Sequence, residues 1–235
     1  MVTGRRTMVS DPRSAPCEDV GRTSCFRLEK QGYQGGEDKV VIMFQVRIHG
    51  RGGQGVVTAA ELLSVAAFSE GHHAQAFPSF GSERTGAPVV SFCRISEVAI
   101  RSHDPVAEPD AVIVQDVTLL GQIDVLGGLS PTGYVLLNTE QPLAELGLAA
   151  AERALPPGHV VRVPATALAL EHVGRAVPNV PLLGAFAALT GLLSIDSVVA
   201  AIEARFSRSV AAKNSAAARA AFELVVQEAV HVAAG

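Results

Sequence analysis

The stretch His49–Gly55 reads HGRGGQG and carries the spacing Gly50-x-Gly52-x-x-Gly55. That spacing brings a peptide backbone close to a pyrophosphate when a strand precedes it and a helix follows. Gly50 permits the turn, Gly52 and Gly53 let N–H groups face an anion, and Gly55 lets the helix start close to the strand. Free N–H groups and the helix dipole then favour a phosphate, with Gln54 as a further amide donor. The same glycines equally suit a loop that only fits cramped backbone, and both readings stay open here. A dinucleotide is a narrower claim. An NAD site places Asp or Glu at the end of the second strand. Here that end reads Ala76-Phe77-Pro78-Ser79-Phe80, Glu70 belongs to the preceding helix end, and Glu83 lies deep in the next loop. Those positions argue against a stand-alone NAD-binding oxidoreductase.

A second constellation is Ser79–Pro88, SFGSERTGAP, which sets Ser82, Glu83, Arg84 and Thr85 among Gly81, Gly86 and Pro88. A loop that follows a strand in an open α/β sheet faces the usual ligand crevice. Arg84 suits bidentate pairing with phosphate or carboxylate. The plainer alternative is a solvated loop whose Glu–Arg pair contributes little. His49 adjoins the glycine loop as a candidate anion or interface contact, and His72-His73 follow a helix stop. No Ser–His–Asp or Cys–His arrangement has supporting context, and no paired acidic motif suggests a metal. No catalytic residue is assigned to this chain.

Composition narrows the class. The chain has 235 residues, 48% of them hydrophobic, with no Trp and a formal charge of -4. An aliphatic core in one domain with an appendage suits that length. The charge gives no electrostatic reason to expect nucleic acid. No apolar run reaches transmembrane length. The cysteines are Cys17, Cys25 and Cys93, too few for a four-cysteine cluster or structural zinc. No apolar secretory core opens the chain, so a cytoplasmic protein with reduced thiols is expected.

The elements that must position these loops follow from pattern. Residues 1–39 mix charged, Ser and Gly residues without period, so a disordered leader is expected there. A single domain then covers 40–235, and Met43 stands as a candidate functional start. Phe44–Ile48 predicts a buried strand, and Val56–Glu70 an amphipathic helix stopped by Gly71. A short strand is expected near Ala74–Phe77. Val89–Ile95 and Val98–Arg101 predict a β-hairpin around Ser96-Glu97. Three further apolar runs, Ala111–Gln115, Tyr134–Leu137 and Val160–Val163, each precede a helix-like segment, which is the rhythm of a parallel sheet. Pro181 is placed to open a helix through Leu193. Ser194 caps the next, running to about Phe206, and Asn214 caps a last helix over Ala216–Ala233. The expected fold class is α/β: an open, mostly parallel Rossmann-like sheet with flanking helices, a β-hairpin and a helical C-terminal third.

Two passages, Ile48–Leu63 (IHGRGGQGVVTAAELL) and Ala74–Ser96 (AQAFPSFGSERTGAPVVSFCRIS), resemble the gamma subunit of pyruvate:ferredoxin oxidoreductases, within the 2-oxoacid:ferredoxin oxidoreductase family. Glu108–Asp116 (EPDAVIVQD) and Asn179–Ala185 (NVPLLGA) fit as well, so the resemblance runs from about Phe44 to the C-terminal helix. It implies a reversible reaction in which a 2-oxoacid, CoA and oxidised ferredoxin give acyl-CoA, carbon dioxide and reduced ferredoxin. It also implies alpha, beta and delta partner subunits, or fused equivalents, with ferredoxin as acceptor. Thiamine diphosphate, Mg2+ and [4Fe-4S] clusters would be held by those partners, and this chain would be inactive alone. The loop Ser79–Ala87 is similar to the pyruvate branch; relatives acting on other 2-oxoacids remain an alternative. On this resemblance Gly52, Gly53, Gln54, Gly55, Ser82, Glu83, Arg84 and Thr85 would contact CoA phosphates or a neighbouring subunit.

Overall fold

The structure is a computed structural model that describes residues 43–79 and 85–234, with side chains described through residue 230. The expected leader, 1–39, and the loop residues Ser82, Glu83 and Arg84 lie outside the described residues.

Six strands form one sheet: β1 (Met43–Arg51), β2 (His73–Pro78), β3 (Pro88–Ser96), β4 (Ala111–Val114), β5 (Tyr134–Asn138) and β6 (Val160–Val163), in the order β2-β3-β1-β4-β5-β6. β1, β4, β5 and β6 run parallel, whereas β3 is antiparallel to both β1 and β2. The helices are α1 (Val56–Ser69), α2 (Ala149–Ala154), α3 (Ala165–Val173), α4 (Asn179–Thr190), α5 (Ile195–Arg205) and α6 (Arg208–Ala234). The expected α/β class, mostly parallel sheet and helical C-terminal region are all present.

Three local expectations change. Val98–Arg101 forms no strand. Both edges of β3 are already occupied, by β1 and β2, so no edge is left for it. The antiparallel partner is β2, which precedes the Ser79–Pro88 loop. After β4 comes only a short 3-10 helix, Val117–Gly121, capped by Asp116, and then an irregular run. Gly121, Gly127, Gly128, Pro131 and Gly133 interrupt any helix there. Finally, α6 starts earlier than expected. Asn214 lies inside it, its Nδ2 donating to the Val210 carbonyl one turn back at 2.9 Å. Ser194 does cap α5, its hydroxyl accepting from Ser197 N.

The two faces of the sheet are covered differently. Phe44, Val46 and Ile48 of β1, with Ala111, Ile113 and Leu136, face a core built from α1, α3, α4, α5 and α6. Val112, Val114, Val135 and Leu137 face Leu119, Val125, Leu143 and Leu148, carried mainly by irregular chain. Irregular chain leaves carbonyls to satisfy, and two arginines do so. Arg47 donates to the carbonyls of Val125 (3.0 Å) and Gly127 (2.6 Å), and at 3.4 Å to that of Val106. Arg94 donates to those of Ser102 and Asp104 and lies over the Phe77 ring, 5.1 Å from its centroid. Burial pulls both guanidinium groups below the ordinary arginine range, opposed by Asp124 at Arg47 and Asp104 at Arg94.

α4 is buried along most of its length, and Gly184 is where α6 crosses it. A Cβ at Gly184 would collide with the Ala218 carbonyl, which is backbone and cannot yield alone. Gly184→Val is therefore expected to destabilise the fold by about 1–3 kcal/mol, read as a lowered urea midpoint at unchanged slope. An unchanged midpoint would show that the α4–α6 approach has room for a side chain.

Candidate functional site

β1 runs straight into the glycine loop. Gly50 must be glycine because α1 returns directly over it: an added Cβ would sit 2.6 Å from Val56 Cγ2. Gly55 is the N-cap of α1 in the left-handed region, at φ 72°, a conformation that a side chain makes costly. A Cβ there would also collide with the Asn179 amide, whose Nδ2 donates to the Gly55 carbonyl at 3.2 Å. The loop thus ties α1 to the start of α4, 124 residues later in the chain.

The far side of the Ser79–Pro88 loop returns to the same place. Gly52 N–H donates to the Ala87 carbonyl at 2.9 Å, and Gly86 N–H donates to the Gly52 carbonyl at 3.0 Å. Between this arm and the start of α1 lies an open cleft of about 450 Å³ whose lining includes Arg51, Gly52, Gly53, Gly55, Thr58 and Thr85. No side chain caps α1, and its first turn holds no acidic residue. An uncapped helix start of this kind favours a negative or strongly polar group.

Of the residues singled out in the sequence, Gly52, Gly53, Gly55 and Thr85 come together at this cleft. Gln54 takes a different part. Its Oε1 accepts from Arg51 N–H at 2.8 Å and its Nε2 donates to Asp116 Oδ2 at 3.3 Å, so it closes the loop on itself. Gln54 N–H is taken up by the Arg51 carbonyl within the loop, and Gly52 N–H by the Ala87 carbonyl of the arm, so neither faces an anion as the sequence reading expected of Gly52. Glu70, the nearest acid to a ribose-binding position, is engaged elsewhere, accepting from Ser194 N–H at 2.8 Å and its hydroxyl at 2.7 Å. Burial pushes its carboxyl up, but bonds from Ser197 and Ser194 together with His72 outweigh that, and it lies below the ordinary range.

Sequence reasoning passed over Arg51 and Asp116. Arg51 Nε pairs with Asp116 Oδ2 at 3.0 Å across the carboxyl ends of β1 and β4. Burial pushes the Asp116 carboxyl up, but hydrogen bonds from Thr118, the Arg51 charge and the Gln54 amide outweigh it and hold it below the usual carboxylate range. The available signal was the position of Asp116 directly after an apolar run, the strand end where α/β folds place ligand-facing groups.

Cys93, the one cysteine among the described residues, is fully buried, and burial pushes its thiol up. Among the described residues no three His, Cys, Asp or Glu side chains gather as metal ligands. These residues therefore do not fit an iron–sulfur cluster. No helix among them is long and apolar enough to cross a membrane.

A family model, pyruvate ferredoxin/flavodoxin oxidoreductase, matches residues 45–224. The chain belongs to this family. It is 49% identical to the pyruvate/ketoisovalerate oxidoreductases common subunit gamma of Pyrococcus abyssi, over 77% of this chain and 96% of that one. It is 47% identical to the pyruvate synthase subunit PorC of Methanothermobacter marburgensis, over 77% and 97% respectively. The crystal structure of the pyruvate oxidoreductase subunit PORC of Thermotoga maritima superposes with a TM-score of 0.65 at 35% identity, covering 77% of this chain and 96% of that one. The resemblance seen in the motifs is thus confirmed, and this family member is a gamma-type subunit of a 2-oxoacid:ferredoxin oxidoreductase. The stand-alone NAD reading is not favoured.

His49, expected as an anion or interface contact, is instead 4% exposed and does not line the cleft; neither ring nitrogen has a hydrogen-bond partner among the described residues. Burial first, then the Arg47 charge, lowers its pKa to about 4, against Asp124. The folded form stays neutral while the unfolded chain takes up a proton below about pH 6.5. Stability from this group is therefore complete above pH 6.5 and is lost as pH falls toward 4, by about 3 kcal/mol in all. His49→Leu is expected to flatten the unfolding free energy between pH 6.5 and 4; an unchanged slope would mean the imidazole is not the group responsible.

Proposed function

We propose that this chain is the gamma subunit of a cytoplasmic, thiamine diphosphate-dependent pyruvate:ferredoxin oxidoreductase and that its own cleft receives part of CoA. The overall reaction would take pyruvate, CoA and oxidised ferredoxin to acetyl-CoA, carbon dioxide and reduced ferredoxin, reversibly. Alpha, beta and delta partners would hold the thiamine diphosphate, Mg2+ and clusters, with ferredoxin as acceptor, and the gamma chain would be inactive by itself. Matches along nearly the whole length of subunits named for pyruvate synthase and pyruvate oxidoreductase support the substrate.

The observation that carries the CoA reading is the cleft itself. An uncapped helix start, backbone N–H groups around Gly53 and Gly55, and the hydroxyls of Thr58 and Thr85 meet at one open depression. CoA brings phosphates and a chain of amides, which such donors suit. A second reading draws on the Pyrococcus abyssi relative, whose name joins pyruvate with ketoisovalerate under one common gamma subunit. A shared chain would co-purify with two oxidoreductases of different 2-oxoacid preference.

The test begins with native co-purification of the chain, then assays CoA-dependent ferredoxin reduction with pyruvate and with ketoisovalerate. Thr58→Glu separates a ligand cleft from a packing loop. Glu at the third position of a helix is favourable for the helix but places a negative charge in the cleft. The expected result is an intact complex whose KM for CoA rises about tenfold with the KM for pyruvate unchanged. Loss of assembly with an unchanged CoA KM in what remains would mark the cleft as a subunit contact.

A further inference from the structure

On the reading of the cleft as a CoA site, we propose that Arg51 is a positioning residue: it touches no ligand and acts by holding the arm Thr85–Ala87 in place as one wall of the cleft. Its guanidinium is committed in three directions. Nε donates to Asp116 Oδ2 at 3.0 Å, Nη2 to Thr118 Oγ1 at 2.7 Å, and Nη1 to the Gly86 carbonyl at 3.1 Å. The Thr118 hydroxyl donates in turn to Asp116 Oδ1, which closes a ring from β1 to the start of the segment after β4. The planar fork of an arginine meets those acceptors from one rigid group; a lysine ammonium has no such geometry.

Among the described residues the arm has few other ties before it joins β3 at Pro88. Its link to the glycine loop is an isolated bridge between Gly52 and Thr85, with the two backbone bonds of Gly52. Gly86 sits at φ 84°, and no described atom lies near the place its Cβ would take. The arm enters β3 at Pro88, which pairs with Arg51, so among the described residues it is tied at that end by the sheet and nearer Thr85 by Gly52. The Arg51–Gly86 bond adds a side-chain contact from the end of β1 at the middle of the arm, between those two ties. Arg51 and Asp116 are each about one-fifth exposed, at 22% and 18% of their side chains. Their charges face each other, so Arg51 lines the cleft with its guanidinium already committed.

The opposite role, a direct contact with CoA, predicts a different response when Asp116 is removed. An arginine that binds the ligand is held back by Asp116, and freeing it would tighten CoA. A positioning arginine loses its own anchor, and CoA would weaken. The experiment uses the co-expressed, assembled oxidoreductase with CoA and pyruvate as the varied substrates and ferredoxin reduction as the readout. Arg51→Met and Asp116→Ala are each expected to raise the KM for CoA about tenfold or more, with kcat and the KM for pyruvate within about twofold of the parent. Arg51→Lys is expected to fall between the parent and Arg51→Met, because one ammonium can keep Asp116 or Gly86 but not both. A lower CoA KM in Asp116→Ala overturns the proposal in favour of a ligand contact. Equal losses for both substrates, with a lowered Tm or failed co-purification in Arg51→Lys as well, overturn it in favour of a purely structural role. Thr58→Glu, carried in parallel, separates the two levels. Where it raises the CoA KM and Arg51→Met does not, positioning fails and the CoA cleft stands; where it changes nothing, the CoA reading fails and the proposal with it.

Discussion

The approach of α1 to the end of β1 sets most of this structure. Gly50 leaves room for the Val56 side chain at the start of α1, and Gly55, in the left-handed region, leaves room for the Asn179 amide of α4. The helix start and its contact with α4 follow from this closeness. The helix start is left uncapped because its N-cap is a left-handed glycine with nothing to offer its N–H groups. Asn179 reaches Gly55 because no Cβ blocks it, which brings α4 under the loop. The α4 helix in turn meets α6 at a glycine, so the same device of missing side chains recurs deeper in the core.

The sheet resolves a second constraint in an unusual way for its class. A parallel sheet needs cover on both faces, yet the larger helices lie on one side. Irregular chain covers the other, and it brings backbone carbonyls into a low-dielectric layer. Arg47 and Arg94 project from β1 and β3 into that layer and donate to those carbonyls. Long side chains with several fixed donors suit this better than any apolar residue, since an unmatched buried carbonyl costs about 1–3 kcal/mol. His49 sits on the same face with no hydrogen-bond partner among the described residues, and its burial lowers its pKa.

These two solutions meet at the carboxyl ends of β1 and β4, where Arg51, Asp116 and Thr118 close a ring beside the cleft. The place is the one where open α/β sheets present ligands. The described residues contribute N–H groups, hydroxyls and one neutralised ion pair there. Such a set can hold and orient a partner molecule, which accords with a gamma-type subunit of an oxidoreductase.

The local grammar of this protein was legible in the sequence. The strand, glycine loop and helix at Phe44–Glu70, the three later parallel strands and the Ser194 cap all rest on short-range periodicity and on residues with special backbone freedom. The family was legible too, through the spacing of two loops. Pairing partners were not. Val98–Arg101 has strand-like residues, but only the tertiary order shows that β3 has both edges occupied. The early start of α6 was likewise hidden, because an Asn inside a helix and an Asn at its cap have the same local sequence. The reach of Gln54 was another such case: its amide could face a ligand or close its own loop, and Asp116, 62 residues away, decided it. Asp116 and Asn179 acquired their parts for the same reason. Hydrogen bonds and close approaches across such separations depend on which strands lie side by side, and that is settled by packing the whole chain.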